Sequence, residues 1–471
     1  MGRKADLAKN TAILSIGKLL TKLVSFFLLP LYTSILADEE FGLYDVLITY
    51  GTVLIPIFNW QFDQGLFRFM LDTRGDDEKH KDLFSTLFTS CFFQVALYVV
   101  LFLLISPFLH IEHAIFLLFY VVLHIFFEML HQFIRGRGSS VKYTIASFIA
   151  TTAITVMNVI TLVVLKMGLQ GMFISTLIGQ SIGIVYLIFA TKFWKFYSIK
   201  RFSKNTFKQV GAYAFPLIPN NLAWWVVNAS DRVIIKHFLG LAANGIYAAA
   251  NKFPNVFIQF YNILNLSWTE TVSLHYEDED RDEFLTETMT AMVKLFSCAC
   301  FGITAVMPFI FKYLVVRKDY APGFYHIPIL MYAMLFRVLV GLYSCVYVAQ
   351  KNAKKIAVTS IVAAVINVSV NLILVKFIGL YAASVSTLVA FAVMFIVRYI
   401  DVNKTVHMKI KANVAVPTIV IGAVVVSTYY TGNKILQGAV FLVVAVYSVM
   451  MNMDYVRMAV DKAKKLLHRG S

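Results

Sequence analysis

Two lysines interrupt the apolar run NTAILSIGKLLTKLVSFFLLPLY, residues 10–32. Thr11, Ser15, Lys18, Lys22 and Ser25 follow at alternating spacings of four and three, so in a helix they form one narrow polar stripe. At about 1.5 Å per residue, Lys18 lies roughly a third of the way across such a span and Lys22 near its middle. A mid-depth cation costs about 2.5–3.5 kcal/mol on insertion scales and normally faces a bundle interior or a wet cavity. That reading suits Lys22. Lys18 can also snorkel to the interface. In a cavity, an ammonium binds phosphate as a point charge and a guanidinium binds it bidentately.

Similar stripes recur along the chain. In 208–239, Asn221, Trp225 and Asn228 share a face that Arg232 and Lys236 extend, and Asp231 lies about 100° away. In 42–70, Thr49, Thr52, Asn59 and Asp63 line one side, with Arg68 near the inner end. In 243–272, Lys252, Asn255, Gln259 and Asn262 do the same, followed by Glu270. Amides at such places either meet a substrate or join helices by hydrogen bonds. In 113–134, His124, Glu128, His131 and Arg135 stand at i, i+4, i+7 and i+11. This resembles metal-ligand spacing, but no third or fourth ligand follows nearby, so a structural polar face or a proton-responsive group fits better.

The apolar segments hold seven cations (Lys18, Lys22, Arg232, Lys236, Lys252, Lys294, Arg337) against four anions (Asp63, Glu128, Asp231, Glu270). A cationic excess in low dielectric suits an anionic ligand, and phosphate or diphosphate fits. Asn, Gln, Trp and Tyr nearby suit sugar hydroxyls and ring faces. The candidate substrate-binding set is Lys18, Lys22, Asp63, Asn221, Asn228, Arg232, Lys252, Asn255, Gln259 and Arg337. Asp63, Glu128 and His124 are candidates for ion or proton coupling. No metal or cofactor is expected.

The elements that must carry these residues are membrane helices. The 471 residues are 59% hydrophobic and 14% charged, with a mean hydropathy of +0.73. Soluble domains average about 45–50% apolar and about 25% charged. Apolar windows of about 20 residues fall at 11–36, 42–70, 83–108, 113–134, 142–166, 171–193, 208–239, 243–272, 287–315, 324–350, 354–377, 379–402, 411–430 and 434–453. These predict an all-α polytopic membrane protein of about fourteen spans. A short TGNK turn separates the last two. No cleavage site follows the basic MGRKADLAKN, so the first run reads as a span and not as a signal peptide. Asp6 stands where myristoylation needs Ser or Thr. Cys91, Cys298, Cys300 and Cys345 all fall in apolar segments and read as packed thiols.

Placing the N-terminus inside puts TRGDDEKHK, RGRGSSVK, KFWKFYSIKRFSKNTFK, KNAKK, RYIDVNKTVHMKIK and the tail DKAKKLLHRGS on the cytoplasmic side. The outer connections ADEE, LHIEH, LGLAAN and TGNK are nearly free of Lys and Arg, a positive-inside pattern with both termini cytoplasmic. The acidic inner HYEDEDRDEF and the basic outer stretch at Lys312, Arg317 and Lys318 fit it less well. The net charge of +16 thus lies mostly in short loops facing anionic lipid, which argues against nucleic-acid binding.

The chain also matches itself. LADEEFGLY (36–44) aligns with LGLAANGIY (239–247), and GLQGMFISTLI (168–178) with GLYAASVSTLV (379–389). Between them Lys142, Ser147 and Asn158 align with Lys355, Ser360 and Asn371. The offset spans six helices, an even number, so the halves share one orientation, as in parallel transporter repeats. In the same alignment Asn221, Trp225 and Asn228 take the places of Lys18, Lys22 and Ser25, and Arg337 and Ser344 stand opposite His124 and His131. The expected organisation is a six-helix lobe at 1–200, a second at 201–405, and two further helices with a basic tail at 406–471.

KNTAILSIGKLLTKLVSFFLLPLYTSILADEEFGLYD and NASDRVIIKHFLGLAANGIYAAANKF closely resemble the bacterial polysaccharide-transport family, the O-antigen (Wzx-type) flippases of the MOP superfamily, which also holds MATE exporters and lipid II flippases. The resemblance covers roughly residues 8–402. Its most specific points are Asp231-Arg232, Leu239-Gly240, Gly245-Ile246-Tyr247 and Phe41-Gly42-Leu43-Tyr44. It implies two six-helix lobes around a central cavity of alternating access, in the bacterial cytoplasmic membrane; a monomer is expected. It also implies a substrate of undecaprenyl-diphosphate-linked oligosaccharide. Fourteen spans, where many Wzx-type members have twelve, resembles the lipid II branch, whose last two spans help form a lipid-tail groove. A MATE-type cation exporter would instead favour an acidic cavity. A membrane glycosyltransferase or polymerase would need a large outer loop or an acidic catalytic motif. No nucleotide-binding motif is present to suggest direct use of ATP.

Overall fold

Twelve helices among the described residues are long and apolar enough to cross a membrane. The computed structural model describes residues 26–453 apart from Arg74 and Lys351, together with Leu23 and Arg457. One of the twelve, Lys204–Asn265, runs for 62 residues, far more than the roughly 20 that a bilayer core needs. Its main helix breaks at Gly240, whose φ of 86° no helix accommodates, and so it supplies both the seventh and the eighth span. The first expected span lies largely outside the described residues. Each of the others has its helix, including the pair around TGNK.

Contacts divide the chain into two compact units, Met1–Ala248 and Ala249–Ser471. The first holds α1 (Leu29–Ile35), α2 (Asp38–Phe58), α3 (Phe62–Asp72), α4 (Asp77–Leu109), α5 (Ala114–Gly136), α6 (Ser140–Asn158), α7 (Gly168–Thr191), α8 (Lys204–Ala214) and the first part of α9 (Leu217–Leu274). The seventh span is therefore grouped with the first six. A π-helical turn, Val159–Val164, prolongs α6. The buried face of α5, including Ile125, Leu130 and Phe133, forms the centre of the apolar core, and Phe133 stacks on Phe84 at 4.0 Å.

The second expected span is not one straight helix. It stops at Phe58 and restarts at Phe62, because Trp60 and Gln61 adopt left-handed φ values of 54° and 57°. The Asn59 side-chain oxygen accepts the Gln61 N–H at 2.8 Å, an Asx-type turn that stabilises the break.

The second unit continues with the rest of α9, then α10 (Arg281–Leu314), α11 (Ile327–Ala349), α12 (Ala353–Ile378), α13 (Tyr381–Val402), α14 (Ala412–Tyr429) and α15 (Lys434–Met451). Helix α13 packs between α11 and α12, while α14 and α15 lie on α10. Among the described residues, two of the six carboxylates in the acidic connection HYEDEDRDEF, and one on the helix that follows it, meet basic side chains. Asp278 meets His275 at 2.6 Å, Asp282 meets Arg281 at 2.9 Å and His407 at 3.2 Å, and Glu287 meets Lys411 at 3.5 Å. All four cysteines are buried free thiols.

The repeat is visible in the backbone. Gly168 and Gly379, aligned at the start of α7 and α13, have φ values of 54° and 56°. Gly42 and Gly245, also aligned, sit where α2 crosses α9. A Cβ on Gly42 would lie 2.0 Å from the Leu241 carbonyl oxygen, and one on Gly245 would lie 1.9 Å from the Asp38 oxygen. Asp38 and Leu241 are themselves aligned, so this is one contact made twice, as across a two-fold axis. Only glycine permits it.

Candidate functional site

Lys18 and Lys22 lie outside the described residues, so the geometry begins with the stripe on the seventh span. That face packs along α2, all within the first unit. Asn221 Nδ2 donates to Gln61 Oε1 at 2.7 Å. Trp225 Nε1 donates to Thr52 Oγ1 at 3.1 Å and lies 3.3 Å from the Thr49 carbonyl. Arg232 Nε donates to Asp45 Oδ2 at 2.9 Å, and its Nη1 donates to the Asn228 carbonyl at 3.0 Å. Asp231, 3.5 Å from the same guanidinium, accepts the Tyr247 hydroxyl. Asn244 Nδ2 donates to the Gly42 carbonyl at 2.9 Å, beside the glycine crossing. Asn228 is exposed, its amide donating to the Trp224 carbonyl at 2.6 Å. Thus Asn221 joins helices, and Arg232 has its counter-charge in Asp45.

The break after Phe58 aims a second group inward. Asp63, on the first turn of α3, is buried. It accepts Asn59 Nδ2 at 3.0 Å and Gln64 Nε2 at 2.8 Å. Gln94 Nε2 on α4 donates to the Asn59 carbonyl at 3.2 Å. Two amides hold the Asp63 carboxylate. Glu128 on α5 is near enough to act on it electrostatically. Glu128 lies 3.7 Å from His124 Nε2 and 3.9 Å from His131 Nδ1. The other nitrogen of His131 sits 2.9 Å from the Tyr143 carbonyl and 3.0 Å from Ser147 Oγ. Glu128, His124 and His131 thus form one cluster on α5, and Asp63 interacts with it only at longer range. Among the described residues no three His, Cys, Asp or Glu side chains are placed to hold a metal ion.

In the second unit Lys252, Gln259 and Arg337 are half-buried and Asn255 is exposed. The Arg337 guanidinium lies 5.7 Å from the Phe391 ring centroid. Tyr261 OH donates to Asn265 Oδ1 at 2.7 Å and comes so close to α11 that a Cβ on Gly341 would lie 1.8 Å from it.

Two charged groups escape the sequence reading. Asp45 is the partner of Arg232. Its signal is the four-residue step to Thr49 on the stripe of α2. Arg398 on α13 is 1% exposed, although it falls in RYIDVNKTVHMKIK, which reads as a connection between spans. Its guanidinium donates to Thr359 Oγ1 at 2.8 and 3.0 Å, to the Val340 carbonyl at 3.3 Å and to the Ile356 carbonyl at 3.4 Å, and it also bonds Ser344. It pins α11, α12 and α13 with dipoles in place of a carboxylate.

No curated protein matches the chain in sequence. Among solved structures, the lipid II flippase MurJ in an inward closed conformation superposes with a TM-score of 0.74 at 16% identity, over 94% of this chain and 100% of that one. An inward-facing multidrug resistance MATE family transporter of the MOP superfamily gives 0.68 at 12% identity, over 83% and 98%. An outward-facing member of that family gives 0.57 at 14% identity, over 86% and 97%. These likenesses establish the fold. Residues 7–269, more than half the chain, match the family of polysaccharide biosynthesis proteins. The chain belongs to that family, and it is a multi-pass membrane protein with the fold of the MOP-superfamily transporters.

Proposed function

We propose that this protein is a flippase and not an enzyme. It moves a polyprenyl-diphosphate-linked oligosaccharide from the cytoplasmic to the outer leaflet of a bacterial cytoplasmic membrane, supplying cell-surface polysaccharide synthesis. Membership of the polysaccharide biosynthesis family carries the reading, and the cationic excess within the spans supports it. Lys18, Lys22, Lys252 and Arg337 hold the diphosphate, while the polyprenyl chain stays in lipid. Asn255, Gln259 and Asn228 meet the sugars. The pairing of Arg232 with Asp45 lowers its availability to phosphate and suits it to a helix contact that breaks and re-forms as access alternates. Asp63, Glu128 and His124 supply the titratable charge that a proton gradient needs.

The acidic cluster of the first unit also favours a second reading, export of an organic cation as in MATE transporters. One experiment separates the two. In cells lacking the native flippase, the wild-type chain restores surface glycan, Lys22→Arg retains this, and Lys22→Gln loses it by at least about tenfold, the worth of one charge-assisted contact. Unchanged glycan with Lys22→Gln at normal expression removes Lys22 from the site. Resistance to lipophilic cations without glycan rescue favours the exporter.

A further inference from the structure

We infer that the second unit carries a separate site for an anionic glycerophospholipid, at the membrane edge between α12 and α13. A cavity of about 620 Å³ opens there, lined by Tyr347, Asn352, Lys354, Lys355, Thr359 and Lys404 at its polar end. Its other wall is Val358, Val397 and Ile400, which are 49%, 41% and 55% exposed on helices long enough to span a bilayer. One cavity therefore joins a basic head-group end to an apolar flank that acyl chains must cover.

The charges choose the ligand. Asp401, the one carboxylate in the lining, is already engaged: it accepts Lys355 Nζ at 2.7 Å and Tyr347 OH at 2.8 Å. Lys354 and Lys404 line the same cavity and are exposed, and Lys404 acts on Asp401 only at longer range than Lys355 does. Behind the Thr359 wall lies the buried Arg398 guanidinium, which donates to the Thr359 hydroxyl and adds positive potential. Two ammonium groups thus face a phosphodiester, with an arginine behind them. Basic pockets between helices at a membrane surface recognise anionic head groups in this way. The cavity lies at the end of the unit where KNAKK and RYIDVNKTVHMKIK emerge, both rich in Lys and Arg. In the first half the position of Lys355 is taken by Lys142, which is exposed, and the position of Asp401 by Ala190. The site is therefore a property of one repeat and not of the shared scaffold. It is distinct from the cavity residues assigned to transport and does not depend on that assignment.

The test is native mass spectrometry of the purified full-length protein titrated with phosphatidylglycerol, cardiolipin, phosphatidylcholine and undecaprenyl phosphate. The wild type is expected to retain phosphatidylglycerol and cardiolipin over phosphatidylcholine. Lys354→Gln and Lys404→Gln should each weaken that retention about fivefold, and the double variant more than tenfold. The exposed Lys200→Gln, in another basic segment, serves as control and should leave it unchanged. Equal retention of phosphatidylcholine, an unaffected double variant, an equal loss with Lys200→Gln, or selective retention of undecaprenyl phosphate would each overturn the assignment. Because these are binding measurements, a failure of the transport proposal leaves the result readable.

Discussion

Where the first half has His124, Glu128 and His131 on α5, the second half has Arg337, Gly341 and Ser344 on α11. The scaffolds correspond down to the glycine backbones, but the side chains reverse the chemistry. Ser147 meets the ring of His131 in the first unit, whereas its counterpart Ser360 lies 3.4 Å from the guanidinium of Arg398 in the second. At the place of Glu128 the second unit has no side chain at all, and the Tyr261 hydroxyl fills the space. Asp63 aligns with Leu266. At these aligned positions the first half therefore carries two imidazoles and a carboxylate, and the second carries a guanidinium group. Under the proposed function, the first set would serve coupling and the second would serve the anionic cargo.

The sharpest way to break this comparison is at the one contact both halves share. Gly42→Leu and Gly245→Leu each drive a side chain into backbone at about 2 Å. Both should abolish surface glycan and sharply reduce the monodisperse protein recovered in detergent. Tolerance of one but not the other would show that the crossing is not two-fold.

Next in size is the contrast of charge. Arg337→Gln should cut transport by about 10- to 100-fold at every pH, the worth of a charge-assisted phosphate contact. Glu128→Gln should cut it comparably near neutral pH and flatten the pH profile, because His124 and His131 then lose the carboxylate beside them. Flipping measured in proteoliposomes between pH 5.5 and 8.5 reads both. A pH-dependent defect in Arg337→Gln with a flat one in Glu128→Gln would reverse the division of labour.

A stability contrast follows. Arg398→Met leaves buried hydroxyls without their donor and should cost about 2–4 kcal/mol. Glu128→Gln keeps the shape of a half-buried group and should cost under about 1 kcal/mol. Thermal melts in detergent rank the two. An equal or larger loss for Glu128→Gln would mean that its cluster is structural.

Much of the fold is legible in the sequence because apolar length, loop charge and motif spacing are local properties. The two aligned glycine motifs announce themselves by spacing, although nothing in the spacing says that they touch. The break at Trp60-Gln61 is hidden, since neither residue is a Gly or Pro and the left-handed backbone depends on the Asn59 side chain. Asp45 shows its place on the stripe by the step to Thr49, but its pairing is hidden because Arg232 lies 187 positions away. Arg398 sits four residues from the end of its helix, where arginines ordinarily snorkel, and only the packing of three helices shows that it turns inward. The site is harder to read than the spans for the same reason. A polar stripe looks identical whether it faces a cavity or a neighbouring helix, and the stripe of the seventh span proves in large part to face α2.

The smallest expected effect tests the repeat at its most similar point. Asn158 and Asn371 align, and both are buried. Asn158 Nδ2 donates to the Tyr32 hydroxyl at 2.8 Å. Neither amide atom of Asn371 has a hydrogen-bond partner among the described residues. Replacing a bonded group strands its partner, whereas replacing an orphaned one removes a desolvation cost of about 1–3 kcal/mol. Asn158→Leu should therefore lower stability by about 1 kcal/mol, and Asn371→Leu should leave it unchanged or raise it. Thermal melts of both variants decide the matter. A clear loss of stability in Asn371→Leu would mean that the amide binds a buried water or a polar group in the intact protein, and the two halves would then be more alike at this depth than their hydrogen bonds suggest.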